Sequence, residues 1–219
     1  MNVRRRIPEL LATSAVVLAA GCGGMVPSSS SGGVALRVRW PETTRLVPEA
    51  SRSVGITVRD AGGFQTFRVA NRPTSGGYST LVFVGLAPGP VDYTATAFPD
   101  VDAQGVAVAG ATGRVTLVAG QRTDVRLDLA STIDRIEIAP TETTLRVGET
   151  RTFVATARNA GGDIVPTTAS KVLWSSSDTR VARVDATGLV TAIAAGSTRI
   201  IFKDTESGKQ ESALLVVEP

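Results

Sequence analysis

From Val34 onward the chain is written in short runs that alternate apolar and polar residues, and that alternation limits its fold more than any other feature. Val34, Leu36, Val38 and Trp40 fall on one side of a period-two repeat, as do Val54, Ile56 and Val58, and again Val125, Leu127 and Leu129. Successive side chains of a strand point to opposite faces, so each run predicts a half-buried strand. Arg37 and Arg39, between members of the first run, read as its wet face. No helical period competes with this pattern. Turn residues punctuate it closely: Asp60-Ala61-Gly62-Gly63, Pro88-Gly89-Pro90, Asn159-Ala160-Gly161-Gly162, Ala186-Thr187-Gly188 and Ser207-Gly208. Many short strands joined by Gly-rich turns predict an all-β protein built of sandwiches.

The length, 219 residues, allows two such sandwiches, and an internal echo points the same way. Gly55-Ile56-Thr57-Val58-Arg59-Asp60-Ala61-Gly62-Gly63 aligns with Val154-Ala155-Thr156-Ala157-Arg158-Asn159-Ala160-Gly161-Gly162 at an offset of 99 residues. That is about the length of one immunoglobulin-like sandwich, ~100 residues. The joint falls near Ser131-Thr132, giving an N-terminal sandwich over 34–131 and a C-terminal one over 132–219.

Ahead of them, residues 1–21 have the parts of an export signal. Arg4-Arg5-Arg6 is a positive patch, and Leu10 to Ala20 is an apolar run broken only by Thr13 and Ser14. The run is too short to cross ~30 Å of hydrocarbon as a permanent helix. Small residues then lead into Cys22, and residues 22–33 form a Gly/Ser-rich tether of random-coil composition. Leu18-Ala19-Ala20-Gly21-Cys22 resembles a bacterial lipobox, although Ala19 stands where leucine is favoured. The resemblance implies that the Cys22 thiol is alkylated by a diacylglycerol, that the peptide bond before it is cut, and that the new amino terminus takes a palmitate-type acyl chain. Two or more chains hold a protein stably on a membrane where one does not. The alternative is an ordinary cleaved signal with an incidental cysteine. The only cysteine of the chain stands where the apolar run ends and a tether begins, which favours the lipid anchor. The expected address is the bacterial cell envelope, on the periplasmic face or at the cell surface.

Composition removes several classes of function. There is no histidine, hence no imidazole base, proton shuttle or zinc ligand. One cysteine permits neither an internal disulfide nor a CxxC motif. The formal charge of +3 falls to +1 once Arg4, Arg5, Arg6 and Glu9 leave with the leader, so no basic stripe for nucleic acid remains. Serines are plentiful, but no S-x-x-K occurs, Ser28–Ser31 belong to the tether and Ser175–Ser177 to a strand end. The expectation is a non-enzymatic protein without a cofactor. Asp100-Val101-Asp102-Ala103-Gln104-Gly105 opens like a calcium loop, yet position 111, where an EF-hand has its bidentate Glu, is Ala111. A turn explains the same residues and is the favoured reading over a looser calcium site.

Beyond this physical reading, the C-terminal half carries an ordered set of motifs: Ile136-x-Ile138-x-Pro140, Leu145-x-Val147-Gly148-Glu149-Thr150, Phe153-x-Ala155-x-Ala157, Val172-Leu173-Trp174-Ser175-Ser176-Ser177-Asp178, Val181-Ala182-x-Val184, Gly188-x-Val190-Thr191-Ala192-Ile193 and Ala195-Gly196-Ser197-Thr198-x-Ile200. Together they resemble a group 2 bacterial immunoglobulin-like domain over 133–218. In it Trp174 reads as the core aromatic, Gly148 and Gly188 as turn positions, and Asp178 as the closer of a local turn. In the N-terminal half, Phe83-Val84-Gly85-Leu86-Ala87-Pro88-Gly89 with Tyr93-x-Ala95-x-Ala97, and Val115 to Gln121 with Val125-x-Leu127-x-Leu129, are similar to prealbumin-like sandwiches of the transthyretin or carboxypeptidase-regulatory type. Residues 34–80 carry no such motif. Some relatives of that type lock themselves with a Lys–Asn isopeptide bond, but Lys171, Lys203 and Lys209 all lie in the C-terminal half.

The first resemblance implies a structural, adhesive or scaffolding role, with an envelope protein as partner. A carbohydrate-binding module facing envelope polysaccharide is the second reading, with Trp40 and Tyr78 as the candidate sugar platforms. An accessory subunit of an envelope assembly is the third.

Overall fold

The computed structural model describes residues 32–40, 48–74 and 77–219. The chain is all-β. In the N-terminal half the strands are β1 (Gly32–Trp40), β2 (Ser53–Arg59), β3 (Gln65–Asn71), β4 (Gly77–Leu86), β5 (Gly89–Phe98), β6 (Ala109–Leu117), β7 (Arg122–Arg126) and β8 (Ala130–Ser131). They form two sheets, ordered β4-β1-β7 and β3-β2-β5-β6-β8, in which β1 and β7 run parallel. β1 opens two residues inside the stretch read as tether, since Gly32 and Gly33 are already strand.

The alternation does what it promised. Val34, Leu36, Val38 and Trp40 from one sheet meet Val54, Ile56 and Val58 from the other in one core, all of them buried. The side chains of Arg37 and Arg39 lie outside the described residues. Period two shifts phase in β4, where Phe83 and Leu86 are both fully buried at a spacing of three. There Gly85 takes φ +76°, and the register with β1 slips between Val34↔Phe83 and Gly32↔Leu86. This is a β-bulge. The extra residue, held in a backbone region open to glycine, turns Leu86 back into the core.

In the C-terminal half the strands are β9 (Ile133–Ala139), β10 (Glu142–Arg146), β11 (Thr150–Thr152), β12 (Val154–Asn159), β13 (Val172–Ser176), β14 (Ala182–Val184), β15 (Leu189–Ala192), β16 (Gly196–Asp204) and β17 (Gln210–Glu218). A four-stranded sheet, β10-β17-β16-β13, faces a layer made of β12-β9 and β11-β15-β14. β10 pairs with β17 in parallel. No pairing among the described residues joins a strand before Thr132 to one after it.

The largest fully buried side chain of this half is Phe153, at the break between β11 and β12; Ile200 and Leu215 are fully buried as well. Trp174 is displaced from the role expected of it: it is only partly buried and meets Phe202 edge-on, with ring centroids 5.0 Å apart. Its strand, β13, ends the sheet, so the ring has a neighbouring strand on one side only. Gly188 lies against it as well, where a Cβ would stand 3.1 Å from the indole and collide with the Phe153 carbonyl oxygen. Gly188 sits at φ +86° and Gly148 at φ +89°, the positive values read for these turns. Asp178 closes its turn by accepting from the Arg180 backbone N–H at 2.9 Å.

Candidate functional site

Cys22, the leader and the tether as far as residue 31 lie outside the described residues. Among the described residues, no helix is long and apolar enough to cross a membrane. The structure gathers polar groups instead at two places: the loop after β5 and the seam between the two halves.

The loop contains Asp100 to Gly105, the stretch with a calcium-like opening. Asp102 and Ala103 hold φ of +58° and +59°, two successive non-glycine residues in the left-handed region. Such a backbone persists only where its surroundings fix it. Here β2 and β3 do so. Asn71 accepts from the Asp102 N–H at 2.8 Å and donates to Asp102 Oδ1 at 2.7 Å. Ser53 Oγ accepts from the Ala103 N–H at 3.0 Å and donates to the Asp100 carbonyl at 2.6 Å. One carboxylate oxygen of Asp102 is therefore committed to an amide. No group of three His, Cys, Asp or Glu side chains suited to a metal occurs among the described residues. The hydrogen bonds are those of a turn locked onto a sheet.

The seam begins with covalent continuity. β8 pairs with β6, the Thr132 N–H donates to the Val108 carbonyl at 3.0 Å, the Thr132 hydroxyl donates to the Ala107 carbonyl at 2.6 Å, and β9 starts at the next residue. No slack residue separates the halves. Glu49, on the loop leading into β2, then crosses to the second half. Its carboxylate accepts from Ser170 Oγ at 2.7 Å and pairs with Lys171 Nζ at 3.4 Å, while its backbone N–H donates to Glu206 Oε1 at 2.9 Å. Arg72 steadies the same loop by donating to the carbonyls of Glu49 and Ser51. The Ser170 hydroxyl, with Lys171, holds the Glu49 carboxyl below its usual range, whereas burial pushes Glu206 up. Beside these contacts lies an open cleft of about 670 Å³, walled by Arg52 and Arg72 on one side and Thr167 and Thr168 on the other.

Of the two candidate sugar platforms, Trp40 is excluded from the surface. It is buried, its Nε1 donates to Ser79 Oγ at 2.7 Å, and the Arg72 guanidinium lies 5.8 Å from its ring centroid. Tyr78 is exposed on β4. Sequence reasoning did not find Glu49, Ser170, Lys171 or Glu206. Glu49 is 121 residues from Ser170 and 157 from Glu206, and no motif marks any of them.

Residues 132–214 match the family of bacterial Ig-like domains (group 2). No curated protein matches the chain. Among solved structures, it is similar to domains 4 and 5 of the S-layer protein SbsC, at 19% identity and TM-score 0.35, over 61% of this chain and 67% of that one. It is similar as well to a C-terminal fragment of intimin solved with the intimin-binding domain of its translocated receptor, at 18% identity and TM-score 0.28, over 76% and 51%. A third is a cell adhesion protein assigned as such in Parabacteroides distasonis, at 10% identity and TM-score 0.30, over 84% and 54%. The chain spans only 27% of the longer SbsC structure of domains 4–9.

Proposed function

We propose that this is a non-enzymatic bacterial envelope protein, lipid-anchored through Cys22, whose two sandwiches form a stiff structural or adhesive element. In this reading 1–21 is the signal, 22–33 the acylated tether, 34–131 a prealbumin-like sandwich and 132–219 the Ig-like one. The partner at its free surface is another envelope protein or a polysaccharide, not nucleic acid. One observation supports the stiffness of this element: the halves are joined with no slack residue and clamped by Glu49 at 2.7 Å from Ser170. A joint of that kind suits a part that holds a surface at fixed orientation. The group 2 match over 132–214 supports an Ig-like second half.

The test is intact-mass analysis of the native protein combined with membrane fractionation. The expected result is a diacylglyceryl and acyl mass increment on a chain starting at Cys22, with Cys22→Ser released from membranes and still folded. An unmodified thiol, or a Cys22→Ser protein that stays in salt-washed membranes, overturns the anchor.

A further inference from the structure

A sheet that ends in a free strand presents unpaired N–H and C=O groups, and soluble proteins blunt such edges with charge, shortness or bulges. Two further edges of the N-terminal half are blunted. β7 has five residues, among them Arg122, Asp124 and Arg126, and β3 carries Arg68 at its centre. β4 differs from both. Among the described residues it ends the sheet β4-β1-β7, and it runs for ten residues with no charged residue from Gly77 to Leu86. Its outward face is apolar and β-branched, with Val82 41% and Val84 67% exposed beside exposed Thr80 and Tyr78.

We propose that β4 is a homodimer edge, pairing antiparallel with β4 of a second copy across a two-fold axis at Leu81. The register follows from the backbone. Gly77 at φ +98° and Gly85 at φ +76° bound the regular stretch, which is therefore Tyr78–Val84, with Leu81 at its midpoint. Pairing about that midpoint sets Tyr78 against Val84 and Thr80 against Val82 on the outward face. On the core side it sets Ser79 against Phe83, and Leu81 against its own copy. Cross-strand pairs of aromatic and β-branched residues stabilise antiparallel sheets, and like charges placed opposite each other destabilise them.

The same operation on the neighbouring edges fails on that second count. About its midpoint β3 would bring Arg68 onto Arg68, and β7 would bring Asp124 onto Asp124 and Arg122 onto Arg126. Among these three edges, self-complementarity without like-charge repulsion belongs to β4, which favours a second copy as the occupant. The product is one continuous six-stranded sheet, ordered β7-β1-β4-β4-β1-β7, with closed two-fold symmetry.

Sedimentation of the full-length chain in density-matched detergent tests this. The expected result is a concentration-dependent dimer that Val82→Lys converts to monomer, while Leu173→Lys, on the edge strand of the other half, leaves it intact. Thr80→Cys/Val82→Cys should form a covalent dimer on mild oxidation, and Thr80→Cys/Val84→Cys, out of register, should not. A monomer at every concentration overturns the proposal. So does a dimer indifferent to Val82→Lys, or a wild-type chain that stays monomeric and takes up an extended peptide of a different protein along β4.

Discussion

Ser51 and Ser53 stand two residues apart where the seam loop enters β2, both completely buried, and their hydroxyls meet opposite fates. Ser53 Oγ both donates and accepts, pinning the strained loop at Asp100 and Ala103. Ser51 Oγ has no hydrogen-bond partner among the described residues. A buried polar group left unpaired costs its desolvation, while one that is paired costs as much again when its partners are orphaned. Ser51→Ala is therefore expected to stabilise the protein by about 1 kcal/mol, and Ser53→Ala to destabilise it by ~1–3 kcal/mol. Urea unfolding of the two variants side by side checks both signs. Equal losses from the two would show that the hydroxyl at Ser51 is satisfied after all.

The repeated element is the hairpin turn at Asp60 and Asn159. In each, the side-chain Oδ1 accepts from the backbone N–H four residues on, at 2.9 Å to Phe64 and 2.9 Å to Asp163. In each, a glycine three residues on takes positive φ, +84° at Gly63 and +91° at Gly162. The two turns are nonetheless not interchangeable. Asp60 Oδ2 also accepts from the Ala87 N–H at 2.8 Å, which an Asn amide nitrogen cannot do. Asn159 Nδ2 donates to Asp163 Oδ2 at 3.2 Å, where a carboxylate would repel. Asp60→Asn and Asn159→Asp should each lower the melting temperature. The Asp60→Asn loss should fade on acidification, because the wild-type carboxyl, held below its ordinary range by the Ala87 and Phe64 N–H bonds, forfeits that contribution as pH falls through its depressed folded pKa. A tolerated exchange at both sites would mean that the second bond of each turn contributes nothing.

How much of this was readable beforehand depends on the range of the interaction. Strands at Val34–Trp40 and Val54–Val58 were legible because a strand writes its two faces into adjacent residues. The turn pair was legible because each turn is closed within five residues. Depth was less so: period two says which face Trp174 takes, not that β13 ends its sheet and leaves the ring half covered. Trp40 read as the last inward member of its strand, the favoured reading, and, beside Pro41, as a surface platform in the alternative; Arg72 and Ser79, distant in sequence, cover it and decide for packing. The clamp around Glu49 was illegible altogether. Its members are ordinary polar residues at loop positions, brought together only by the joint itself.

At the scale of the whole molecule the seam makes the two halves respond jointly to pH, through carboxylates of opposite sign. Glu49, whose pKa lies below its ordinary 4.5, contributes stability that is present above that value and is lost as pH falls through its depressed folded pKa. Glu206, whose pKa is raised by burial, has its charged form penalised on folding, so its contribution improves as pH falls through its raised folded pKa. Glu206→Gln keeps an oxygen for the Glu49 N–H and removes the penalty. It should raise the melting temperature at neutral pH, with the gain vanishing on acidification, whereas Glu49→Gln should lower it there, with the loss vanishing. Thermal melts across the carboxylate range decide this, and shifts of the same sign in the two variants would refute it.

Among the described residues each half also has one parallel pair, β1 with β7 over Gly33–Arg37 and Arg122–Arg126, and β10 with β17 over Glu142–Arg146 and Leu214–Glu218. In both, an early strand lies alongside a late one and points the same way. Tension applied between residues 32 and 219 drags these partners past each other lengthwise, so the bonds of a ladder share the load and must rupture together. A hairpin pulled open from its end would surrender them singly. Connectivity alone thus predicts a chain that resists stretching along its length.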